Sequence, residues 1–428
     1  MVDKNLFPYN LAVVAIFKDE AAYLREWLDY HLLAGVEHFY LYNNDSSDDY
    51  EKILAPYVEA NLVTLIDWSG KAMQMPAYND ALERFRFFCR YMAFIDLDEF
   101  IFPKTGQSIV EVADEILSRD DTVAALGINW QIFGSNGHET ADLSRGVVER
   151  FTRRAEKNWA PVSAEKIYEG NTDKPLGNIL IKTIANPRAT HYFYNPHFAV
   201  HFVHFRAVNE NGHHVEKFFN LPITADKIAI NHYSTRSREE FLKKFNRGRS
   251  DIIGGYSLNT FDSYDRNEVF DDRILKYRAA RAENFSFESD EQRRNRVEKV
   301  LVDALTKCSP FDAPPEFFTG KLETFLTCRK LAEVFGTRIG NKSAEEYALV
   351  WIYQTLNTDG VLTYADLQLF ADELPEILSR PFPVAKKVTR LFSEKVLPAM
   401  SEAAKMSCPW KELKDIKYLQ RMLNLILR

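Results

Sequence analysis

The amino-acid sequence predicts an α/β domain with a doubly wound parallel sheet, followed by an α-helical region. Three observations lead to this prediction. Short apolar runs alternate with amphipathic segments, polar turns separate them, and from about residue 271 only helical periodicity remains. We therefore expect two domains in this chain of 428 residues, residues 1–270 and residues 271–428.

The first 68 residues show the alternation most clearly. The apolar run Leu11–Phe17 is rich in β-branched residues, which suits a strand that is covered on both faces. Residues 20–34 carry apolar side chains at helical spacing and end at Gly35, a natural helix C-cap. Further strands are expected over 36–42 and 62–68, with a helix over 49–60 between them. This order predicts ligand binding at the carboxyl ends of the strands.

The same pattern continues to residue 133. Helices are expected over 77–90 and 109–118, and strands over 91–97 and 124–133. Residues 150–235 are irregular, with strand-like pieces such as Ile179–Ile184 and a short apolar strand before His232, and a basic helix follows over 237–245. The later helices are expected over 273–281, 291–306, 321–335, 344–356, 364–378 and 384–406.

Composition and charge narrow the class of protein. The chain has 54 basic and 61 acidic residues, a net charge of −7, which disfavours a general nucleic-acid binder. Its four cysteines are far apart, as in a reduced, cytoplasmic protein with free thiols. No apolar run has the roughly 20 residues of a membrane span. We expect a cytoplasmic protein, with peripheral contact at the inner face of the membrane left open.

The strongest candidate for chemistry is Asp96-Leu97-Asp98, at the end of the strand expected over 91–97. On a strand, two carboxylates two residues apart point to the same face. There they would hold a hard divalent cation through oxygen ligands, and Mg²⁺ or Mn²⁺ would bridge a diphosphate. The alternative is that one aspartate caps a turn or pairs with an arginine.

Polar segments follow the other strands at the same predicted edge. Phe17–Glu20 and Asn43–Asp48 end the first two strands, where they would bind a base or ribose or else cap the next helix. The basic segment Arg236–Arg249 would bind phosphates or form a solvated helix face. The candidate ligand-binding residues are Phe17, Lys18, Asp19, Glu20, Asn44, Asp45, Lys71, Gln74, Asn79, Asp96, Arg236 and Lys244.

Several segments, in their order along the chain, are similar to those of one known family. They are Ala15–Glu20, Glu26–His31, Gly35–Asn44, Gln74, Ala77–Asn79, Phe94–Phe100, Trp130–His138 and Asn231–Tyr233. Together they cover residues 11–250 and resemble glycosyltransferase family 92 and its bacterial glycosyltransferase-2-like relatives. The resemblance implies a GT-A fold, which is a Rossmann-like nucleotide-diphospho-sugar transferase domain. It also implies a UDP-sugar donor, Mn²⁺ (or Mg²⁺) and inverting transfer.

The resemblance further implies a metal site. Asp98 would be the principal ligand, and Asp96 would face the donor ribose or reach the metal through water. His232 is the expected histidine ligand, and His197, His201 and His204 are its rivals. For each rival, a structural histidine is the alternative.

An inverting transferase also needs a general base opposite the leaving nucleotide. Glu149 is the preferred candidate, because Gly146–Phe151 resembles a recurrent segment of the family. Glu139 and Asp142 are the alternative candidates. Glu149 could instead have a structural role, in an ion pair with a neighbouring arginine.

These predictions describe a metal-dependent, inverting glycosyltransferase. It would move galactose or a related hexose from a UDP-sugar to a glycan hydroxyl, in surface polysaccharide or lipooligosaccharide synthesis. One alternative is a nucleotidyltransferase, although Phe17–Glu20 lacks the glycine- and lysine-rich loop of that class. The other is a non-catalytic GT-A-like binding or scaffold subunit, against which the intact Asp96 and Asp98 argue.

Overall fold

The computed structural model describes residues 3–163, 166–167, 175–202, 205–248, 259–306, 322–357 and 364–398. These residues form two compact units. The α/β unit consists of the described parts of Tyr9–His201 and Phe205–Phe287, and the helical unit consists mainly of those of Met1–Pro8 and Glu288–Arg428. The predicted fold class, an α/β domain followed by a helical region, is confirmed.

The described strands are as follows, in chain order: β1 (Tyr9–Phe17), β2 (His38–Asn43), β3 (Val63–Asp67), β4 (Cys89–Phe94), β5 (Glu99–Pro103), β6 (Val123–Ile132), β7 (Arg153–Arg154), β8 (Ile181–Ala185), β9 (Thr190–Asn195), β10 (Phe198–His201), β11 (Arg206–Val208), β12 (His214–Val215), β13 (Ile228–His232), β14 (Val269–Phe270), β15 (Arg338–Ile339) and β16 (Lys342–Ser343).

The described α-helices of the α/β unit are α1 (Ala21–Leu33), α2 (Tyr50–Glu59), α3 (Gln74–Phe85), α4 (Ile109–Leu117), α5 (Val147–Arg150), α6 (Arg238–Arg247), α7 (Asn259–Tyr264) and α8 (Arg273–Ala282). Those of the helical unit are α9 (Asp290–Thr306), α10 (Leu322–Phe335), α11 (Ala344–Asn357), α12 (Tyr364–Leu378) and α13 (Pro383–Leu391).

The central sheet has the strand order β12-β11-β6-β8-β4-β1-β2-β3, and β13 joins it by pairing with β6 and β5. Strands β3, β2, β1 and β4 run parallel to one another, as predicted. Strand β8 then pairs antiparallel with both β4 and β6, so the sheet is mixed. Local periodicity does not reveal this antiparallel insertion, because it depends on pairing between segments distant in sequence.

Strand β1 shows why a continuous apolar run occupies the centre of the sheet. From Leu11 onwards its side chains alternate between two hydrophobic cores. Leu11, Val13, Ala15 and Phe17 pack into one, and Ala12, Val14 and Ile16 pack into the other, together with Tyr9 at the start of the strand. Successive side chains of a strand point to opposite faces. Both faces of β1 are therefore covered, and the strand ends at Phe17 at the carboxyl edge of the sheet.

The α/β unit extends beyond residue 270. Ile274 and Tyr277 of α8 are buried in its core, and the Tyr277 ring lies 6.4 Å from that of Tyr30. The sequence predicts a boundary after residue 270 because helical periodicity begins there. Periodicity identifies a helix, but it does not say which core that helix packs against.

The segment between β4 and β5 is a turn rather than the extended strand end that the sequence predicts. Strand β4 ends at Phe94, and the amide of Glu99 donates to the carbonyl of Asp96 (3.1 Å). The Glu99 carboxylate in return accepts from the amide of Asp96 (2.9 Å). Because the chain turns here, the Asp96 and Asp98 carboxylates do not share a strand face.

Helix α6 is fixed at its start by a buried ion pair. Ser237 and Glu240 form a capping box. The Arg150 guanidinium donates two hydrogen bonds of 2.8 Å to Glu240, and both side chains are only 1% exposed. Burial raises the pKa of Glu240, but the bonds from Arg150 and Ser237 outweigh it and lower the pKa to about 2.

The helical unit is held by aromatic stacking and by buried charge. The rings of Phe325 and Trp351 stack 5.4 Å apart between α10 and α11. Arg329 of α10 is fully buried and donates to Glu373 (2.8 Å) and Glu376 (3.3 Å) of α12. These contacts fix α10 against two neighbouring helices.

None of the helices that the structure describes has the length and hydropathy that a bilayer crossing requires. Cys89 and Cys328 are buried and unbridged. Cys308, Cys408, His204 and the helix end predicted at 399–406 lie outside the described residues.

The buried pair gives a testable prediction for stability. Arg150→Met should lower the free energy of unfolding of the α/β unit by about 3–5 kcal/mol, because it leaves Glu240 buried without its cation. Because Glu240 has a depressed pKa, the stabilisation should be complete above the unfolded value of about 4.3 and lost as the pH falls towards 2. Urea unfolding at several pH values measures both effects.

The matched control is Lys52→Met, which removes an ion pair with Asp49 whose two side chains are 77% and 76% exposed. It should change the free energy of unfolding by less than about 1 kcal/mol. Equal costs for the two variants at neutral pH would contradict the anchoring of α6 by Arg150.

Candidate functional site

A cavity of about 830 Å³ lies at the carboxyl edge of the parallel strands, within the α/β unit. Phe17, Asn44 and Asp98, which end or follow β1, β2 and β4, contribute to its lining. Its charged lining residues are Lys18, Glu20, Lys71, Asp96, Asp98, Lys244 and Arg247, and its larger apolar ones include Trp130, Leu176, Leu180, Phe218, Phe241 and Tyr264. A cavity of this volume, with both charged and apolar lining residues, suits a small molecule that carries charged groups and an apolar part.

Asp96 is held by two donors from different elements. Its Oδ1 accepts from Gln74 Nε2 of α3 (2.6 Å) and its Oδ2 from Lys182 Nζ of β8 (2.8 Å). Lys182 is fully buried and lies 3.5 Å from Glu99 as well. Burial lowers the pKa of Lys182, but Asp96 and Glu99 outweigh it and raise the pKa well above its ordinary value. The Asp96 side chain is still 35% exposed, so one side of it remains accessible.

Asp98 is buried and faces different partners. Its Oδ2 accepts from Lys244 Nζ of α6, and its Oδ1 lies 3.5 Å from His232 Nε2 at the end of β13. Burial raises the pKa of Asp98, but Lys244 and His232 outweigh it and hold the pKa well below its usual range. Burial likewise lowers the pKa of His232, although the nearby Asp98 opposes the shift. The site therefore pairs an ionised carboxylate with a neutral imidazole.

Glu20 ties the end of β1 to α6. Its Oε2 accepts from Arg236 (3.0 Å) and its Oε1 from Arg247, which also donates to the Lys18 carbonyl. Burial raises the pKa of Glu20, but the two guanidinium groups outweigh it and lower the pKa. This bridge brings the basic helix to the same edge as the aspartates.

The loops after β1 and β2 have strained backbones held by side-chain bonds. Asp19 (φ 50°) and Asp45 (φ 56°) adopt the left-handed conformation. The Asp19 carboxylate accepts from the amide of Ser47 (2.7 Å), and that of Asp45 accepts from the Ser69 hydroxyl (2.6 Å). Asn44 donates to the Gly70 carbonyl (2.9 Å). These bonds shape the rim of the cavity.

The structure brings most of the sequence-predicted residues to the cavity. Its lining includes Phe17, Lys18, Glu20, Asn44, Lys71, Gln74, Asp96, Asp98, His232 and Lys244. The other predicted residues that the structure describes are outside the lining: Asp19, Asp45, Asn79, Glu139, Asp142, Glu149, His201 and Arg236. Asn79 instead bonds the backbone of Phe193, and Glu139 and Glu149 are exposed on the surface.

Three lining or supporting residues were not singled out from the sequence. Lys182 interrupts the apolar run Ile179–Ile184, and a lysine in such a run signals a buried partner. Arg247 lies in the predicted basic segment, but which of its side chains turn inward depends on tertiary packing. Trp130 packs its ring against His232 (centroids 4.1 Å apart) and His197 (5.1 Å).

The donor set of Asp98 and His232 fits a divalent cation. Within the part of the chain that the structure describes, no three His, Cys, Asp or Glu side chains are grouped to hold a metal ion. Asp98 Oδ1 and His232 Nε2 lie 3.5 Å apart, and these two side chains would hold the cation, since carboxylate oxygens and imidazole nitrogens are common metal ligands. Such a cation would rest on two side chains and would need further oxygen ligands.

Comparisons with known proteins agree with this architecture. The sequence model of glycosyltransferase family 92 matches residues 11–263. A glycosyltransferase family 92 protein of Ricinus communis is 23% identical over 308 residues, which are 71% of this chain and 50% of that protein. The galactan β-1,4-galactosyltransferase GALS2 of Arabidopsis thaliana is 32% identical over 99 residues, 21% of this chain and 19% of that protein.

Among solved structures, that of S. aureus TarS residues 1–349 aligns with 82% of this chain and 92% of that chain, at 14% identity and a TM-score of 0.30. The chain spans half or less of the length of these plant relatives. The family match covers more than half of the chain and includes the complete cavity edge from β1 to α6. The chain therefore belongs to glycosyltransferase family 92, as the sequence resemblance predicted.

Proposed function

We propose that this protein is a glycosyltransferase that moves a hexose from a UDP-sugar to a hydroxyl group of a glycan. The observation that carries the proposal is the cavity edge, where Asp98, His232 and Lys244 meet below the ends of the parallel strands. Family membership supports the reaction class. The names of three relatives, galactan β-1,4-galactosyltransferases of Arabidopsis thaliana, support galactose as the sugar.

The diphosphate of the donor would bind among the basic side chains of the cavity. Lys71, Lys244 and Arg247 line it, and charge-assisted hydrogen bonds to phosphate oxygens are strong. The uridine would lie towards Phe17 and Asn44, in the crevice beyond the carboxyl ends of β1 and β2. The exposed side of Asp96 would accept a hydrogen bond from the ribose.

A bound Mn²⁺ or Mg²⁺ would be held by Asp98 and His232, and it would supply positive charge next to the leaving diphosphate. Lys244 also contacts the Asp98 carboxylate and neutralises its charge. When the donor and the metal bind together, Lys244 would move from the carboxylate to a phosphate oxygen. The Lys244 ammonium group would thus offset the charge of Asp98 in one arrangement and the charge of the phosphate in the other.

The transfer is proposed to invert the configuration at the anomeric carbon. The acceptor is proposed to be a glycan of a surface polysaccharide or lipooligosaccharide. The apolar part of the lining, which includes Trp130, Phe241 and Tyr264, offers flat surfaces for sugar rings.

Asp98→Asn tests the proposal directly. It should lower kcat for transfer from UDP-galactose to 4-nitrophenyl β-galactoside by at least about 100-fold, because it removes the negatively charged carboxylate at the centre of the site. Asp49→Asn, on an exposed side chain, is the matched control and should keep wild-type turnover. Wild-type turnover in Asp98→Asn would exclude this carboxylate from the reaction.

Lys244→Met separates metal binding from diphosphate binding. Without nucleotide, the variant should bind Mn²⁺ more tightly than the wild type, because the cation that competes for Asp98 is gone. With Mn²⁺ present, it should bind UDP more weakly, because a phosphate donor is lost. Calorimetric titration measures both affinities.

The matched control is Lys243→Met on the same helix, whose side chain is 66% exposed and pairs with Glu239. It should change neither affinity. If Lys244→Met weakened the binding of both Mn²⁺ and UDP, the exchange of Lys244 between Asp98 and phosphate would be contradicted.

A further inference from the structure

The cavity contains a histidine that none of the binding contacts above uses. His197 lies in the turn between β9 and β10 and lines the cavity beside Asn195 and Pro196. Its backbone is fixed at two points, because its amide donates to Asn195 Oδ1 (2.7 Å) and its carbonyl accepts from Thr183 Oγ1 (2.9 Å). These two bonds therefore fix the backbone from which the imidazole projects.

The tautomer of His197 follows from its ring contact. Nδ1 lies 3.0 Å from the carbonyl oxygen of Ile181, which can only accept a hydrogen bond. Nδ1 must therefore carry the proton, and in the neutral ring Nε2 is the nitrogen with the lone pair. The ring also packs edge-to-face against Trp130, which contacts His232 as well. The basic nitrogen is thus on a ring whose orientation is set by a hydrogen bond and by aromatic packing.

The carboxylates of the cavity are poorly suited to take a proton. Among the described lining residues, the carboxylates are Glu20, Asp96 and Asp98. Each oxygen of Glu20 accepts from an arginine, and each oxygen of Asp96 accepts from a side-chain donor. Asp98 meets Lys244 on one oxygen and His232 on the other. These contacts stabilise the ionised forms and weaken all three groups as bases.

We propose that His197 is the general base of the transfer, an inference that rests on the proposed function. Nε2 takes the proton of the acceptor hydroxyl while the hydroxyl oxygen forms a bond to the anomeric carbon of the donor sugar. The bond between that carbon and the phosphate oxygen breaks, and its electron pair leaves on UDP. The imidazolium then releases the proton to solvent, which restores the neutral ring.

His197→Asn is the first test, because its amide nitrogen can replace Nδ1 as donor to Ile181 while the basic nitrogen is lost. We expect kcat for transfer from UDP-galactose to 4-nitrophenyl β-galactoside to fall about 100- to 10,000-fold. The affinity for UDP should stay within about twofold. The wild-type rate should rise with pH across the range in which histidines titrate, since the base must be unprotonated, and the variant should lose this rise.

His197→Ala is the second test, because added imidazole should restore part of its transfer rate and a purely structural role would not allow this. His214→Asn, at an exposed histidine of β12, is the matched control and should keep the wild-type rate and pH profile. Glu139→Gln and Glu149→Gln are rival variants, and the proposal expects both to keep the pH-dependent rise.

Two results would overturn the assignment of His197 and leave the proposed function standing. One is that the wild type is active and His197→Asn has the same kcat. The other is that His197→Asn loses rate but keeps the wild-type pH profile, and added imidazole does not restore the rate of His197→Ala. Loss of the pH-dependent rise in Glu149→Gln or Glu139→Gln would transfer the role to that carboxylate. Absence of transfer by the wild type from every UDP-sugar would instead overturn the proposed function, and this assignment with it.

Discussion

The buried charges at the carboxyl edge of the sheet impose the constraint on which the rest of the site depends. Glu20, Asp96 and Asp98 lie where water cannot fully solvate them, so each needs a cation or another donor nearby. Lys182 of β8, Arg236 just before α6, and Lys244 and Arg247 of α6 meet this need. Strand β8 and helix α6 therefore pack at the edge that the ends of the parallel strands form.

The same compensation gives the site its chemical character. Lys244 contacts the Asp98 carboxylate and also lines the cavity, so under the proposed function it can donate to a phosphate oxygen of the sugar donor. The anchoring of α6 by Arg150 and Glu240 matters here because it sets where Lys244 reaches the edge. Stability and ligand binding therefore meet in one helix, and a change at its start is expected to affect both.

Much of the α/β unit was predictable from local pattern, because β1 alternates between two cores and α1 repeats its apolar side chains at helical spacing. The polar segments that follow the strands were also predictable as the cavity edge. The turn at Asp96–Glu99 was not, since Glu99 begins β5, and β5 pairs with β13, a strand more than 100 residues later in the sequence. The surface position of Glu139 and Glu149 was not predictable either. The catalytic roles predicted for these two residues stay predictions.

The sequence by itself determined the fold class, the family and the edge of the sheet at which the cavity lies, because short-range periodicity and motif order carry that information. Only the tertiary structure decided which side chains meet there. Lys244 and Asp98 are separated by 146 positions, and Lys182 and Asp96 by 86. Pairing over such distances follows from the packing of whole elements and from the need to neutralise buried charge, neither of which is written in a local pattern.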